Sequence, residues 1–364
     1  TGMGALDALN NVPSVNVNIE GQVSLRGSTG VQILINGKPS VLADEQSNAL
    51  GTITANMIES VEVITNPSAK YEAEGTSGII NIILKKESMK GLNGSISANT
   101  GIPDNHSLGV SLNRRTENFN LFTQLGAGHR SLPFYKESSN KNLADNSEVM
   151  TEGTEYRNET FFNITLGTDY YINEKNVITL SGNFAYEKEE HPSSTKISFF
   201  NPENELVSQY ERNESTSARN PKYQYDLQYK KEFENNEEHV LQFSTLGTFF
   251  GKDQSSDFIN TPLVGDEADP NQYTETDFYQ NDFIFKLDYT NPLSEKITLE
   301  TGGLYEINDV GNEFAVYNRD GENLIPVTDL TNTLEYNQKV LGIYGTGSFE
   351  TENWEIGRAS CRER

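Results

Sequence analysis

Residues 223–230 read YQYDLQYK, and odd and even positions divide cleanly: Tyr223, Tyr225, Leu227 and Tyr229 alternate with Gln224, Asp226, Gln228 and Lys230. Side chains of an extended strand point alternately to opposite faces, so this segment presents one apolar, aromatic face and one charged face. The split recurs outward in both directions. Phe283, Phe285, Leu287 and Tyr289 oppose Asp282, Lys286 and Asp288, and Ile178, Leu180, Phe184 and Tyr186 oppose Thr179, Ser181 and Asn183. Phe162, Ile164, Leu166 and Tyr170 oppose Asn163, Thr165 and Asp169. Weaker versions lie at 92–100, 107–115, 119–128, 240–249, 296–305 and 340–349. From residue 91 onward the pattern predicts about ten strands of roughly ten residues, the length that carries a tilted strand across a bilayer.

The connections sort by length. Short polar turns stand at 115–118, 173–176, 234–238, 291–296 and 350–353. Between them run stretches at 129–160, 188–222, 251–277 and 307–338, rich in Asn, Asp, Glu and Ser and read as long loops; only 101–106 is short where a long one is expected. Short turns on one side and long loops on the other are the pattern of an outer-membrane barrel. A soluble β-sandwich also alternates, but its strands are usually shorter and nothing sorts its loops. Tyr170, Tyr186, Tyr289 and Tyr305 near strand ends suit interfacial aromatic girdles.

Composition narrows the function. Among 364 residues the formal net charge is -25, which argues against nucleic acid as a partner. The longest near-apolar run, GIINIIL at 78–84, is far too short for a transmembrane helix. His106, His129, His191 and His239 show no paired ligand spacing, so neither a zinc site nor another cofactor is indicated. The acidic run at 265–272 reads as a solvated loop before it reads as a weak calcium site.

The first 86 residues differ in style. Leu6 and Leu9 at helical spacing predict a short helix ended by Asn10, Asn11 and Pro13. Strands are expected in QVSLRG, VQILING, IESVEVIT and SGIINIILK, with Asn36-Gly37 at a hairpin turn and a helix from about 44 to 50. Residues 355–364, with three arginines in the last nine, break the pattern and back-translate to something like a sequencing-library adapter; they are expected to be non-native, which leaves no cysteine, since Cys361 is the chain's one cysteine.

The stretch DALNNVPSVNVNIEGQVSLRGSTGVQILINGKPS, followed by IESVEVITNPSAKYEAEGTSGIINIILKK, resembles the plug domain of TonB-dependent outer-membrane receptors, in a grouping common in Bacteroidota. It departs from many members in having Asn66-Pro67 for Gly-Pro and LINGKPS where an Asp-Gly pair is frequent. The resemblance implies a small α/β plug at 1–86, truncated at its start, and an antiparallel transmembrane β-barrel over 87–354 that supplies about ten of 22 strands. The rest of the barrel and the TonB box would lie outside this stretch.

It implies energised ligand uptake rather than catalysis, in a Gram-negative outer membrane. The partners would be membrane lipid, the TonB energy-transducing complex, a surface lipoprotein and a small ligand whose identity stays open. The alternative is a barrel serving adhesion, assembly or signalling. Gly27, Gly30, Gly37, Gly75 and Gly78 are expected at tight plug turns, and Arg26, Glu59 and Glu62 in contact with barrel charges. Tyr135, Tyr156, Phe199, Phe200 and Tyr210 are the candidates for stacking on a ligand from exposed loops.

Overall fold

The computed structural model describes residues 9–17, 23–28, 31–35, 38–39, 58–64, 78–84, 91–233, 236–265, 268–294, 296–351 and 354–363. Expectations that fall on Leu6, Gly30, Asn36, Gly37, Gly75 and the helix at 44–50 lie outside them.

Six short strands form the N-terminal region: β1 (Val15–Val17), β2 (Val23–Leu25), β3 (Gln32–Ile35), β4 (Lys38–Pro39), β5 (Ile58–Ile64) and β6 (Ile79–Leu84). The first two pair with each other, and the other four form a sheet in the order β4-β3-β6-β5, with β3 and β6 parallel. The longest apolar run of the chain is β6 because that strand is interior and covered on both faces, where alternation gives way to continuous hydrophobicity. Ile79, Ile80 and Ile82 are wholly buried there, and Leu9, Val15, Val23, Leu25 and Ile33 close the core around Ile80 and Ile82.

The remaining chain is one antiparallel sheet in sequence order. Its strands are β7 (Gly91–Gly101), β8 (Asn105–Arg115), β9 (Phe119–Lys141), β10 (Glu148–Asn173), β11 (Asn176–Phe200), β12 (Leu206–Phe233), β13 (Asn236–Val264), β14 (Gln272–Ser294), β15 (Ile297–Asp320), β16 (Asn323–Pro326), β17 (Asn332–Thr351) and β18 (Trp354–Glu363). β16 pairs beside β15, and β7 and β18 stand at the two ends of the order, so the sheet is an unclosed arc of wall. Pairing of β18 with β17 uses backbone groups only and is indifferent to the origin of residues 355–364.

The ten expected strands are all present and the short turns fall where the sequence puts them, but two expectations change. Strands β9 to β15 are 23–29 residues long rather than ten. Correspondingly, most of each expected loop is strand: 129–160 holds the upper parts of β9 and β10 with only 142–147 between them, and 188–222 holds those of β11 and β12. Above the bilayer both faces of a strand meet water, so hydrophobic alternation vanishes while the ladder of backbone hydrogen bonds continues.

Within the bilayer the outward face is apolar. Leu92, Ile96, Leu166, Leu180, Leu287, Leu341 and Ile343 are all exposed. Aromatic rows bound this band: Phe162, Phe184, Tyr223, Phe249 and Phe283 above, Phe119, Tyr170, Phe233 and Tyr289 below. From Phe162 to Tyr170 along β10 is about 26 Å at ~3.3 Å per residue, which a strand tilted by about 40° projects to roughly 20 Å, within the roughly 25 Å of such an apolar band.

Candidate functional site: the inner face of the wall

Register decides which side chains share the inner face. Asn163 of β10 stands opposite Ala185 of β11, and Ala185 opposite Lys222 of β12. All three are buried, and Ile35 at the end of β3 packs against Ala185. This apolar touch places the N-terminal domain against the concave side, level with the upper aromatic row.

Around it the polar groups are joined laterally from strand to strand. Low on the wall, the Asn113 amide donates to Asn120 (2.8 Å), Asn120 donates to Asp169 (3.0 Å), and the Thr179 hydroxyl donates to Asp169 (2.8 Å), linking β8 to β11. Higher up, Arg130 Nε lies 2.6 Å from Glu159, and Lys252 Nζ 3.5 Å from Glu189, whose other oxygen accepts from Asn220. The Lys222 ammonium sits 5.0 Å from the centre of the Phe250 ring, and its charge acts on the neighbouring Glu187. Buried carboxylates are tolerable only when cations and amides satisfy them in this way.

Above the upper aromatic row the inner face continues as a vestibule. Glu155 receives both Lys136 and Arg157, and Arg157 also lies 4.4 Å over the Phe134 ring. Burial opposes ionisation of Glu155, but the two cations prevail and hold its carboxyl below the usual range. Near the rim Asp269 accepts from the Tyr210 hydroxyl and from Arg212, each at 2.7 Å. Burial, reinforced by the bond to Asp269, pushes the Tyr210 phenol up to about 12.

The candidate residues scatter over this frame. Tyr210 is a correction: read as an exposed loop aromatic, it is buried within β12, because its ring stacks beside Phe199 at 6.2 Å and its hydroxyl is engaged by Asp269. Phe199 and Tyr210 belong to the inner face, whereas register puts Tyr135, Tyr156 and Phe200 on the outer one. The acidic run at 265–272 yields Asp269 as a partner for Tyr210 and Arg212.

In the N-terminal domain, Gly27 (φ +83°) and Gly78 (φ +124°) occupy backbone conformations that suit glycine, and Arg26 shares the left-handed region at +52°. Arg26, Glu59 and Glu62 are exposed. Glu62 accepts from Asn81 within its own sheet (2.8 Å), and among the described residues Arg26 and Glu59 form no ion pair with the wall. Sequence reasoning missed Ile35, Ala185 and the Glu187–Lys222 neighbourhood; Lys222 fell at the end of the expected loop 188–222, and only register shows what it meets. His106 and His129, far apart in sequence, are cross-strand partners, each bonded to a threonine.

An outward apolar band between aromatic rows, a polar inner face and a small domain against that face define an outer-membrane β-barrel wall with its plug. Residues 4–79 match the family described as TonB-dependent Receptor Plug Domain, and residues 231–357 match the Outer membrane protein beta-barrel family. Carrying both in that order, the chain belongs to the TonB-dependent receptors of the outer membrane. Among solved structures it is similar to the ferric yersiniabactin uptake receptor FyuA from Yersinia pestis, at 11% identity and TM-score 0.52, with 97% of this chain and 60% of that one covered. It is likewise similar to the open form of the ferric-catecholate import receptor Fiu from E. coli K12, at 14% identity and TM-score 0.50, covering 96% and 65%. These identities speak for the fold alone, and the chain spans under two thirds of either receptor's length.

Proposed function

We propose that this chain is the plug and the first part of the wall of a receptor that takes up a ligand from the vestibule when TonB pulls on the plug. The observation that carries the reading is the meeting of Ile35 with Ala185 on an inner face otherwise joined by polar links. Among the described residues this contact is small and apolar, and a contact of that kind holds a plug without anchoring it as a hydrophobic core would, leaving it movable under force. Among the described residues, Arg26 and Glu59, exposed on the plug, are charges available to complete the plug–wall contact. Gly30, Gly37 and Gly75 serve its turns in the same reading.

Partners in this scheme are the membrane lipid, the TonB complex, a surface lipoprotein and the ligand. The test uses the full-length receptor in its host. Collapsing the proton-motive force with a protonophore should abolish ligand accumulation and leave surface binding intact. Equal accumulation with and without the protonophore would reject transport and favour the scaffold role in adhesion, assembly or signalling.

A further inference from the structure

The vestibule's cations and its neutral polar groups are in opposite states. On the inner face above the apolar band, Arg130, Lys136, Arg157, Arg212 and Lys252 each face a carboxylate within ion-pair distance, and Lys222 lies beside Glu187. An anionic ligand would find each of these six already engaged by a carboxylate, Lys136 and Arg157 sharing Glu155. The side chains of Gln254 on β13, Thr274 and Thr276 on β14 and Asn312 on β15 are half-buried, and among the described residues none makes a hydrogen bond.

These four groups form one patch. Gln254 stands opposite Thr276, Thr276 opposite Phe314, and Phe278 opposite Asn312, with Thr274 two residues along the same face of β14. Phe278 and Phe314 thus sit among the free hydroxyl and amide groups, both half-buried with part of the ring accessible. Three strands spaced about 4.8 Å apart and five residues of height make a surface of roughly 10 by 13 Å.

We propose that this patch binds an uncharged oligosaccharide, a substrate class that rests on the uptake reading above. Sugar C–H faces stack on Phe278 and Phe314 while ring hydroxyls bond Gln254, Thr274, Thr276 and Asn312. An oligopeptide fits less well. Its commonest purchase on a sheet is an unpaired strand edge, and the backbone at the patch is fully paired on both sides.

The full-length receptor, purified in detergent, is titrated calorimetrically with maltoheptaose, cellohexaose, xylohexaose and mannohexaose. Ferric tris-catecholate and penta-alanine are the competing probes. One or more of the oligosaccharides should bind, with a Kd that changes less than about twofold between low and high salt, because no charge is screened. Phe278→Ala and Gln254→Ala should each weaken it roughly tenfold.

Thr276→Val, which keeps side-chain volume and strand preference, should weaken binding severalfold with an unchanged melting temperature. That separates a lost hydroxyl from a lost fold. Binding of the chelate or the peptide in place of every sugar, or of no probe at all, overturns the proposal. The titration needs no TonB, so retained sugar binding with protonophore-insensitive accumulation would sink the transport reading alone, and the converse result would sink this one alone.

Discussion

The plug and the wall are built on opposite plans. The plug closes around wholly buried Leu9, Ile80 and Ile82, whereas the wall turns Leu341, Ile343 and Leu166 outward and keeps Glu187, Lys222 and Asp226 inside. A water-soluble core is stabilised by removing apolar surface from water, about 25 cal/mol per Å². The wall's apolar surface is instead left to the lipid, and its cohesion comes from backbone ladders and lateral links such as Asn113–Asn120–Asp169. The same residue type should therefore matter very differently in the two regions.

The strongest way to break that comparison is to remove the same atoms from each. Ile80→Ala in the plug leaves a cavity in a dry core and should cost about 2–5 kcal/mol. Ile343→Ala, 64% exposed on the wall, should cost under ~1 kcal/mol in detergent, since no protein cavity forms. Protease resistance of the plug and denaturant unfolding of the wall in the full-length protein read the two effects. Comparable losses at both positions would end the contrast.

A second test exchanges charge for apolar contact within the wall. Leu166→Arg puts a guanidinium into lipid and should cost about 2–4 kcal/mol of folding into bilayers. Thr165→Arg, one residue along on the inner face, should cost less than half of that. If the two variants fold into vesicles equally well, the facing derived from alternation and register is wrong.

Much of this plan could be read from residue order, and the limits are physical. Alternation at 223–230 and 283–289 located the strands because the lipid-facing side chains there are apolar. From 210 to 220 it fails, since Tyr210, Arg212, Glu214 and Thr216 face an aqueous vestibule and their neighbours face water on the other side. The strand continues without a hydropathic trace, so strand length and the burial of Tyr210 were both illegible. For the site, Asn220 and Lys222 fell within the expected loop at 188–222 and carried no facing, and their pairing with Glu187 and Glu189 depends on which rung of β11 meets which rung of β12. That is a property of register, which no single strand encodes.

The vestibule rim offers a smaller test with a defined pH sign. Because the Tyr210 phenol is raised from 10.0 to about 12 in the folded state, folding favours its protonated form. The stability this contributes is fully present below pH 10 and is lost as pH climbs toward 12. Asp269→Asn removes the hydrogen bond to a carboxylate and should bring the phenol's titration down by a fraction of that shift, read as phenolate absorbance near 295 nm against the Tyr210→Phe background. An unmoved titration would mean that burial alone sets it.

The subtlest contrast lies inside one plug residue. Arg26 holds φ +52°, a conformation in which a side chain costs roughly 1 kcal/mol relative to glycine, and Gly27 follows it at +83°. The proposed use of its cation against a carboxylate of the wall is separable from that strain. Arg26→Gly and Arg26→Ala both delete the cation but differ in backbone strain. Two measurements on the full-length receptor therefore separate the roles. Plug retention, read as single-channel conductance in planar bilayers, should loosen equally in both variants, while the plug's thermal stability should rise slightly in Arg26→Gly and stay near wild type in Arg26→Ala. Conductance unchanged in both would remove Arg26 from the plug–wall contact and leave Ile35 against Ala185 as the contact to test next.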